Sequence, residues 1–236
     1  ASPASLGAFA ALKARRAELL EVLREVHAAC ERNEIADLPR TVAVLRAHLG
    51  EPVVACAALY WVEKNLTLPQ LYSTRLTTHS LPIYLGLLGT LADRHPALRR
   101  KVLRLLAACL AIESQDASDA LAMVALKQML LDCVLMLLCR GCALSALAFL
   151  KDYLAVADHA IVRSCLTTLL RLAQPPYSDA FARALLAVLQ LPHVLAAFRP
   201  AAAADGKRAV VERVQALRHA HAPLAREAKK LLEKLQ

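Results

Sequence analysis

The sequence predicts an all-α protein, and three observations lead to that fold class. Leucine and alanine dominate an apolar content of 58%, while aromatic residues make up only 4%. The chain has 6 glycines, too few to supply the turns of a many-stranded β fold. Apolar residues recur at steps of three and four, which is the period of an α-helix that buries one face.

The N-terminal part of the chain predicts three helices. Residues 5–33 carry an apolar stripe opposite charges of both signs, and we assign residues 1–35 to one long N-terminal helix. Asp37 is a suitable cap for a second helix, which Gly50 closes. Pro52 opens a third helix that ends near Asn65, because proline is well tolerated in a first helical turn.

The next elements are separated by prolines and polar residues. Leu68–Leu76 predicts a short helix or an irregular connection. Thr78–Ala92 predicts a helix with Pro82 near its start, where the missing amide hydrogen costs little. After a break at His95, the segment Ala97–Glu113 predicts another helix.

The stretch from Leu121 to Ser178 has the most regular apolar pattern of the chain. In its first helix one face is formed by Met123, Leu126, Leu130, Val134 and Leu137. That helix ends at Arg140 and Gly141, a cation followed by a glycine able to take the left-handed conformation. Further helices are predicted at about Ala143–Val156, His159–Gln174 and Ser178–Gln190, with a shorter one after Pro192.

The predicted helix pairs recur at a regular interval. They begin near Asp37, Thr78, Ser118 and Asp158, which are 41, 40 and 40 residues apart. A period of about 40 residues with two helices per unit is typical of HEAT-like or armadillo-like solenoids. We assign residues 36–198 to such a helical-repeat domain, with an irregular α-bundle as the alternative. Residues 199–236 predict a basic helical tail hinged at Pro223, which caps the solenoid or binds a partner.

The composition also predicts whether the protein contacts a membrane and whether its cysteines are oxidised or bind metal. The longest uncharged run, Leu76–Ala92, has 17 residues and includes polar ones, whereas a membrane span needs about 20 apolar residues, so we expect a soluble intracellular protein without membrane contact. The 7 cysteines lie mostly among apolar neighbours and predict buried reduced thiols. We interpret the pair Cys139 and Cys142 as small residues at a helix junction, because a structural zinc would need a second pair.

The sequence has no motif of a known catalytic or cofactor site. It lacks the nucleophile elbow, the phosphate-binding loop, the dinucleotide fingerprint and the zinc-protease motif. His219 and His221 are two residues apart and face different sides of a helix, so they make a poor metal site. We therefore predict that the protein is not an enzyme and needs no metal or cofactor.

A cluster of cations is the most distinctive polar feature. The net charge is +9, which favours an anionic partner. Five cations without an intervening acid lie within eleven residues: Arg94, Arg99, Arg100, Lys101 and Arg104. On a helix they form a candidate nucleic-acid-binding face that contacts phosphates, and the alternative is an ordinary solvated face. No aromatic residues interleave with the cations to stack on bases.

Four segments of the chain resemble the C/D subunit of negative elongation factor, the trihydrophobin family. They are P-V-V-A-C-A-A-L-Y-W-V-E at Pro52–Glu63, T-H-S-L-P-I-Y-L-G-L-L at Thr78–Leu88, L-K-Q-M-L-L-D-C-V-L-M-L-L-C-R-G at Leu126–Gly141 and P-P-Y-S-D-A-F-A-R-A-L-L-A-V-L at Pro175–Leu189. The motif residues that we assign as structural are Trp61, Leu126, Lys127, Leu131, Asp132, Arg140, Gly141, Pro176, Tyr177 and Phe181. Family members are considerably longer, so the chain resembles their C-terminal part or a divergent short relative.

The resemblance implies a role in the nucleus. It implies a non-catalytic helical-repeat scaffold in a negative transcription elongation factor, which stabilises RNA polymerase II paused near promoters. The implied partners are subunits A and B, the polymerase and single-stranded RNA. Two alternatives stay open from the residues themselves: a HEAT-type adaptor with an unrelated partner, and an RNA-binding helical module.

Overall fold

The computed structural model describes residues 3–32, 38–66, 74–112, 120–199 and 204–235, and within these ranges it contains helices and no β-strand. The prediction of an all-α fold is therefore confirmed. The helices are α1 Pro3–Arg32, α2 Leu38–His48, α3 Pro52–Leu66, α4 Thr74–Arg94, α5 Arg99–Leu110, α6 Ala120–Leu137, α7 Ala143–Leu154, α8 His159–Leu172, α9 Asp179–Leu189, α10 Pro192–Ala197, α11 Ala204–Ala220 and α12 Ala225–Leu235.

The chain forms two compact units, residues 1–127 and 128–236. In the first unit α1 packs on α2 and α3, α2 packs on α4, and α3 packs on α4 and α5. The interior is mostly leucine, and the indole of Trp61 meets the ring of Tyr84 edge-on, with centroids 5.4 Å apart. If α2–α3 and α4–α5 are taken as two helix pairs, their first helices contact each other and so do their second helices.

Helix α4 begins earlier than the sequence pattern predicts. It starts at Thr74, so Pro82 lies in its interior and not near its start. A proline inside a helix costs about 3 kcal/mol, because it removes one hydrogen bond and crowds the preceding turn. The buried side chains around it offset that cost: Leu81, Leu85 and Leu88 are each at most 7% exposed. Most of the predicted Leu68–Leu76 connection, and the predicted caps Asp37 and Ser118, lie outside the described residues.

In the second unit α7 packs on α9, and α8 packs on α10 and α11. The predicted start near Asp158 is confirmed, since its carboxylate accepts a hydrogen bond from the amide of Ala160 at the beginning of α8. Ser178 caps α9 in the same way through the amide of Phe181. The tail forms an antiparallel hairpin of α11 and α12, and α11 also contacts α9.

The predicted helix end at Arg140 and Gly141 is confirmed. Gly141 adopts a φ of 80°, a left-handed conformation that strains any residue with a Cβ. The stretch Met123–Leu154 is long and apolar enough to cross a membrane, although half of its most apolar window is buried within the protein. The turn at Gly141 divides this stretch between α6, of 18 residues, and α7, of 12 residues.

Candidate functional site

The predicted cationic face lies mainly on α5. One side of this helix is buried through Val102, Leu105 and Cys109. Arg100, Lys101 and Arg104 lie on the opposite side, and all three are exposed. Positions three and four apart are neighbours on a helix surface, so these cations form one patch, which we call the α5 cationic patch.

Two of the five predicted cations donate hydrogen bonds to main-chain carbonyls. The Nε of Arg99 donates a hydrogen bond of 2.9 Å to the carbonyl of Ala92, in the last turn of α4. The guanidinium of Arg94 donates to the carbonyl of Arg46 at 3.5 Å. Helix ends leave carbonyls without intrahelical partners, and these arginines satisfy such groups. The α5 cationic patch is therefore smaller than the predicted cluster.

Several of the predicted motif residues are packed in the interior. Trp61 is 3% exposed, Leu126 is 1% exposed and Leu131 is fully buried. Burying leucine and tryptophan side chains stabilises a fold by about 1.5–3 kcal/mol each. These motif residues build the core and offer no surface for a partner.

The polar motif residues lie on the less buried side of α6. Asp132 is exposed, and its carboxylate accepts a hydrogen bond of 2.9 Å from the amide of Gln128. Gln128 in turn accepts a 3.3 Å hydrogen bond from Ser164, so it links α6 to α8. Lys127 is half-buried on the same helix.

The turn between α8 and α9 carries the aromatic motif residues. The Pro175–Pro176 peptide is cis. The hydroxyl of Tyr177 donates to the carbonyl of Ala173 at 2.6 Å, and its ring stacks on that of Phe181 with centroids 5.1 Å apart. Burial raises the pKa of Tyr177 above its ordinary value, although the adjacent Arg213 opposes this shift.

An arginine from the tail holds this turn. Arg213, on α11, donates hydrogen bonds to the carbonyls of Leu170 at 2.9 Å and Ala173 at 2.6 Å. It also contacts Gln174 at 3.1 Å and the hydroxyl of Tyr177. A single guanidinium thereby satisfies two carbonyls at the end of α8 and fixes α11 against the turn. We call this set of contacts the Arg213 clamp.

An open groove lies beside the turn, with a volume of about 420 Å³. Its walls come from the end of α6, the end of α8, the turn and the start of α9. The residues that line it are Leu138, Cys139, Leu172, Ala173, Gln174, Pro176, Tyr177, Ser178 and Phe181. Leu172 is 40% exposed. We call this feature the motif groove, because three of its residues belong to the predicted motif set.

The cysteines of the second unit differ strongly in environment. Burial raises the pKa of Cys133 to about 12 and, together with the nearby Asp132, that of Cys165 to about 12. Such thiols stay protonated and unreactive at neutral pH. Cys139 is exposed on the motif groove, whereas Cys142 is buried. Among the described residues no group of three or more histidines, cysteines or carboxylates is placed to hold a metal ion.

Comparison with known proteins then decides the family. Residues 12–219 match the family model described as TH1 protein, which is most of the chain. The chain belongs to the TH1 protein family. It is 28% identical over 174 residues to Negative elongation factor D from Mus musculus, and 28% identical over 174 residues to the protein of the same name from Sus scrofa. Each alignment covers 72% of this chain and 29% of the relative, so the chain spans less than a third of these proteins.

The family match confirms the predicted resemblance, while the roles of the individual motif residues stay predictions. The sequence reading missed Arg213, the residue that makes the most hydrogen bonds around the motif groove among those described. A signal for it was present. Arg213 falls at the helical period of Val210, Val214 and Leu217, which are buried, so it is a cation set within the apolar stripe of a TH1 family helix.

Proposed function

We propose that this chain is a non-catalytic scaffold subunit of a nuclear negative transcription elongation factor, which holds RNA polymerase II paused near promoters. The observation that carries the proposal is membership of the TH1 protein family together with relatives named Negative elongation factor D. In this function the chain acts through protein contacts with subunits A and B and with the polymerase.

The packing within each unit supports a scaffold built from repeats. In the first unit α2 contacts α4 and α3 contacts α5, while in the second unit α7 contacts α9 and α8 contacts α11. In a solenoid of stacked hairpins, the first helix of each hairpin packs on the first helix of the next, and the second helix packs on the second. Solenoids present extended surfaces to partners, which suits a subunit that joins others.

The motif groove is the candidate contact surface for another subunit. It combines a partly exposed leucine with a stacked aromatic pair, and such side chains supply much of the binding energy at protein interfaces. Its aromatic residues belong to the motif that resembles the family, and the Arg213 clamp holds their turn rigid.

Copurification from nuclear extract tests the proposal. The tagged chain is expected to retrieve negative elongation factor subunits and RNA polymerase II. Leu172→Glu should reduce that recovery at least tenfold, because it places a charge in the motif groove. Val156→Glu is the matched control, since Val156 is an 83% exposed residue of the same unit outside the groove. If the wild-type chain retrieves neither the elongation factor subunits nor the polymerase, the scaffold function is refuted. If the two variants give equal recovery, only the role of the motif groove as a contact surface is refuted.

A second candidate function is binding of single-stranded RNA by the α5 cationic patch. The observation that favours it is that Arg100, Lys101 and Arg104 are exposed side by side and form no ion pair with any described residue. Phosphate contacts release counterions, so binding through three cations should weaken with salt, with a logarithmic slope of roughly −2.

Charge reversal of the patch measures that contribution. Changing the three cations to glutamate should lower RNA affinity and flatten the salt slope by about 2. The matched control reverses three exposed cations of α12, namely Arg226, Lys230 and Lys234, and changes the net charge equally. If both triple variants lose affinity to the same extent, binding reflects net charge and not this patch.

A further inference from the structure

The apolar side chains of the motif groove lie partly open to solvent. Leu172 is 40% exposed, Pro176 is exposed, and the stacked rings of Tyr177 and Phe181 are half-buried. A partly open apolar surface bordered by polar groups is typical of a site that binds another molecule. The volume of about 420 Å³ is near the low end of the roughly 300–1,000 Å³ of ligand sites, so the groove suits a few side chains of a short segment.

Two arginines border the groove through their neighbours in the sequence. Arg171 directly precedes Leu172, and its carbonyl accepts a 2.9 Å hydrogen bond from the side-chain amide of Gln174, another residue of the groove. The side chain of Arg171 is exposed and forms no ion pair with any described residue. Arg140, which is half-buried, directly follows Cys139 of the groove. Both cations therefore lie beside the groove.

A third arginine contacts the groove from the tail. Arg213 donates to the side chain of Gln174 at 3.1 Å and to the hydroxyl of Tyr177. Its partners at the end of α8 are carbonyls, which do not balance its positive charge. The described residues that line the groove include no acid, and the adjacent Asp179 pairs with His221 of the tail at 2.8 Å. Three arginines therefore adjoin the groove, against one adjacent carboxylate.

We infer that the motif groove binds a short acidic segment of another protein, whose leucine or aromatic side chains enter the groove while its carboxylates pair with Arg171 and Arg140. An apolar lining with a cationic border matches such a segment, since complementary charges select a partner and speed its association. Arginine also binds carboxylates in a bidentate geometry. Nucleic acid fits this lining less well, because its two aromatic rings stack on each other and its other residues have no ring face for a base. This inference rests on the groove being the contact surface in the proposed scaffold function.

Opposite charges placed at Leu172 provide the first test. Leu172→Glu and Leu172→Lys remove the same apolar side chain and differ mainly in the sign of the new charge. Fluorescence anisotropy measures how the purified full chain binds a fluorescein-labelled peptide of leucine and glutamate, and circular dichroism verifies helix content. We expect Leu172→Glu to bind at least about tenfold more weakly than Leu172→Lys, with a smaller difference in high salt. If the two variants bind this peptide equally, the sign of the charge does not matter and the inference is wrong.

Charge reversal at Arg171 provides the second test. Arg171→Glu should weaken binding of the acidic peptide at least about fivefold, whereas Arg171→Lys, which keeps the charge, should stay within about twofold of the wild-type chain. The matched control is Arg183→Glu, which changes the net charge equally at an exposed position of α9 outside the groove lining. Equal losses in Arg171→Glu and Arg183→Glu would show that binding reflects net charge alone, and would overturn the inference.

Other probes establish the class of partner. A peptide with glutamine in place of glutamate should bind the wild-type chain at least about tenfold more weakly than the acidic peptide, and equal binding of the two would refute an acidic partner. If oligouridylate binds more tightly than the acidic peptide and is weakened equally by Leu172→Glu, the groove is a nucleic-acid site and the inference is wrong. Copurification of elongation factor subunits is a separate readout. Its failure with peptide binding intact refutes only the scaffold function, while its success without peptide binding refutes only the acidic partner.

Discussion

Replacing Arg213 by alanine should destabilise the second unit more than any exposed arginine of the tail. The side chain is half-buried and donates to two main-chain carbonyls, to Gln174 and to the hydroxyl of Tyr177. Without it, the carbonyls of Leu170 and Ala173 lose a charged donor and keep only their hydrogen bonds from Gln174 and Tyr177, while α11 still covers them. The expected loss is therefore that of the hydrogen bonds from a charged donor.

The expected magnitude follows from the bonds. A hydrogen bond from a charged donor contributes about 1.5–3 kcal/mol, and water that reaches the half-buried site recovers part of the loss. We expect Arg213→Ala to lower the free energy of unfolding by about 3 kcal/mol, which corresponds to roughly 6–12 °C in Tm for a chain of this size. Arg213→Lys keeps the charge but not the planar fork, so it should lose about half as much.

Urea and thermal unfolding monitored by circular dichroism measure these changes. The matched control is Arg208→Ala, on the same helix, where the arginine is 81% exposed and pairs with Glu212 at 3.0 Å. An exposed pair of this kind contributes about 0.3–0.5 kcal/mol. A double-mutant cycle with Tyr177→Phe should show a coupling of at least about 0.5 kcal/mol. If Arg213→Ala costs no more than Arg208→Ala, the clamp does not hold the turn.

Three further outcomes follow from the geometry. Gly141→Ala should cost about 1–2 kcal/mol, because alanine is strained at the left-handed φ of Gly141, whereas Gly50→Ala, with open space around it, should change unfolding by less than about 0.5 kcal/mol. Trp61→Ala should cost about 3–5 kcal/mol in urea melts, and a smaller loss would show that its site collapses. The raised pKa values of Cys133 and Cys165 mean that the unfolded chain releases thiol protons first. Stability should therefore be intact below pH 9 and fall between pH 9 and 12 by about 1.4 kcal/mol per pH unit for each thiol. The double valine variant should lack that part of the fall, and an unchanged alkaline profile would contradict the assignment.

The sequence predicts the helices well because their signals are local. Capping by Asp158, closure at Gly141 and the apolar stripes depend on residues within one or two turns of each other, so no knowledge of the tertiary fold is needed. Pro82 shows the limit of that reasoning. Local sterics place a proline at a helix start, yet burial of the surrounding leucines extends α4 past it.

The candidate site is less accessible from sequence because it depends on contacts between distant segments. Tyr177 and Arg213 are 36 residues apart, and neither periodicity nor motif spacing pairs them. Likewise, the five cations of the cluster look equivalent in the sequence, but Arg99 donates a hydrogen bond to a carbonyl of α4. Only the three-dimensional structure distinguishes the cations that bond to main-chain carbonyls from those that face solvent.

The tail illustrates how an individual residue decides between structure and interaction. The amphipathic pattern of α11 and α12 is equally compatible with a docked cap and with a free partner-binding hairpin. Arg213 favours docking, since its guanidinium is committed to the end of α8. If the tail were instead a free partner-binding hairpin, Arg213→Ala would abolish copurification and leave the free energy of unfolding of the isolated chain unchanged. The hydrogen bonds of Arg213 to the end of α8 predict instead that this free energy falls.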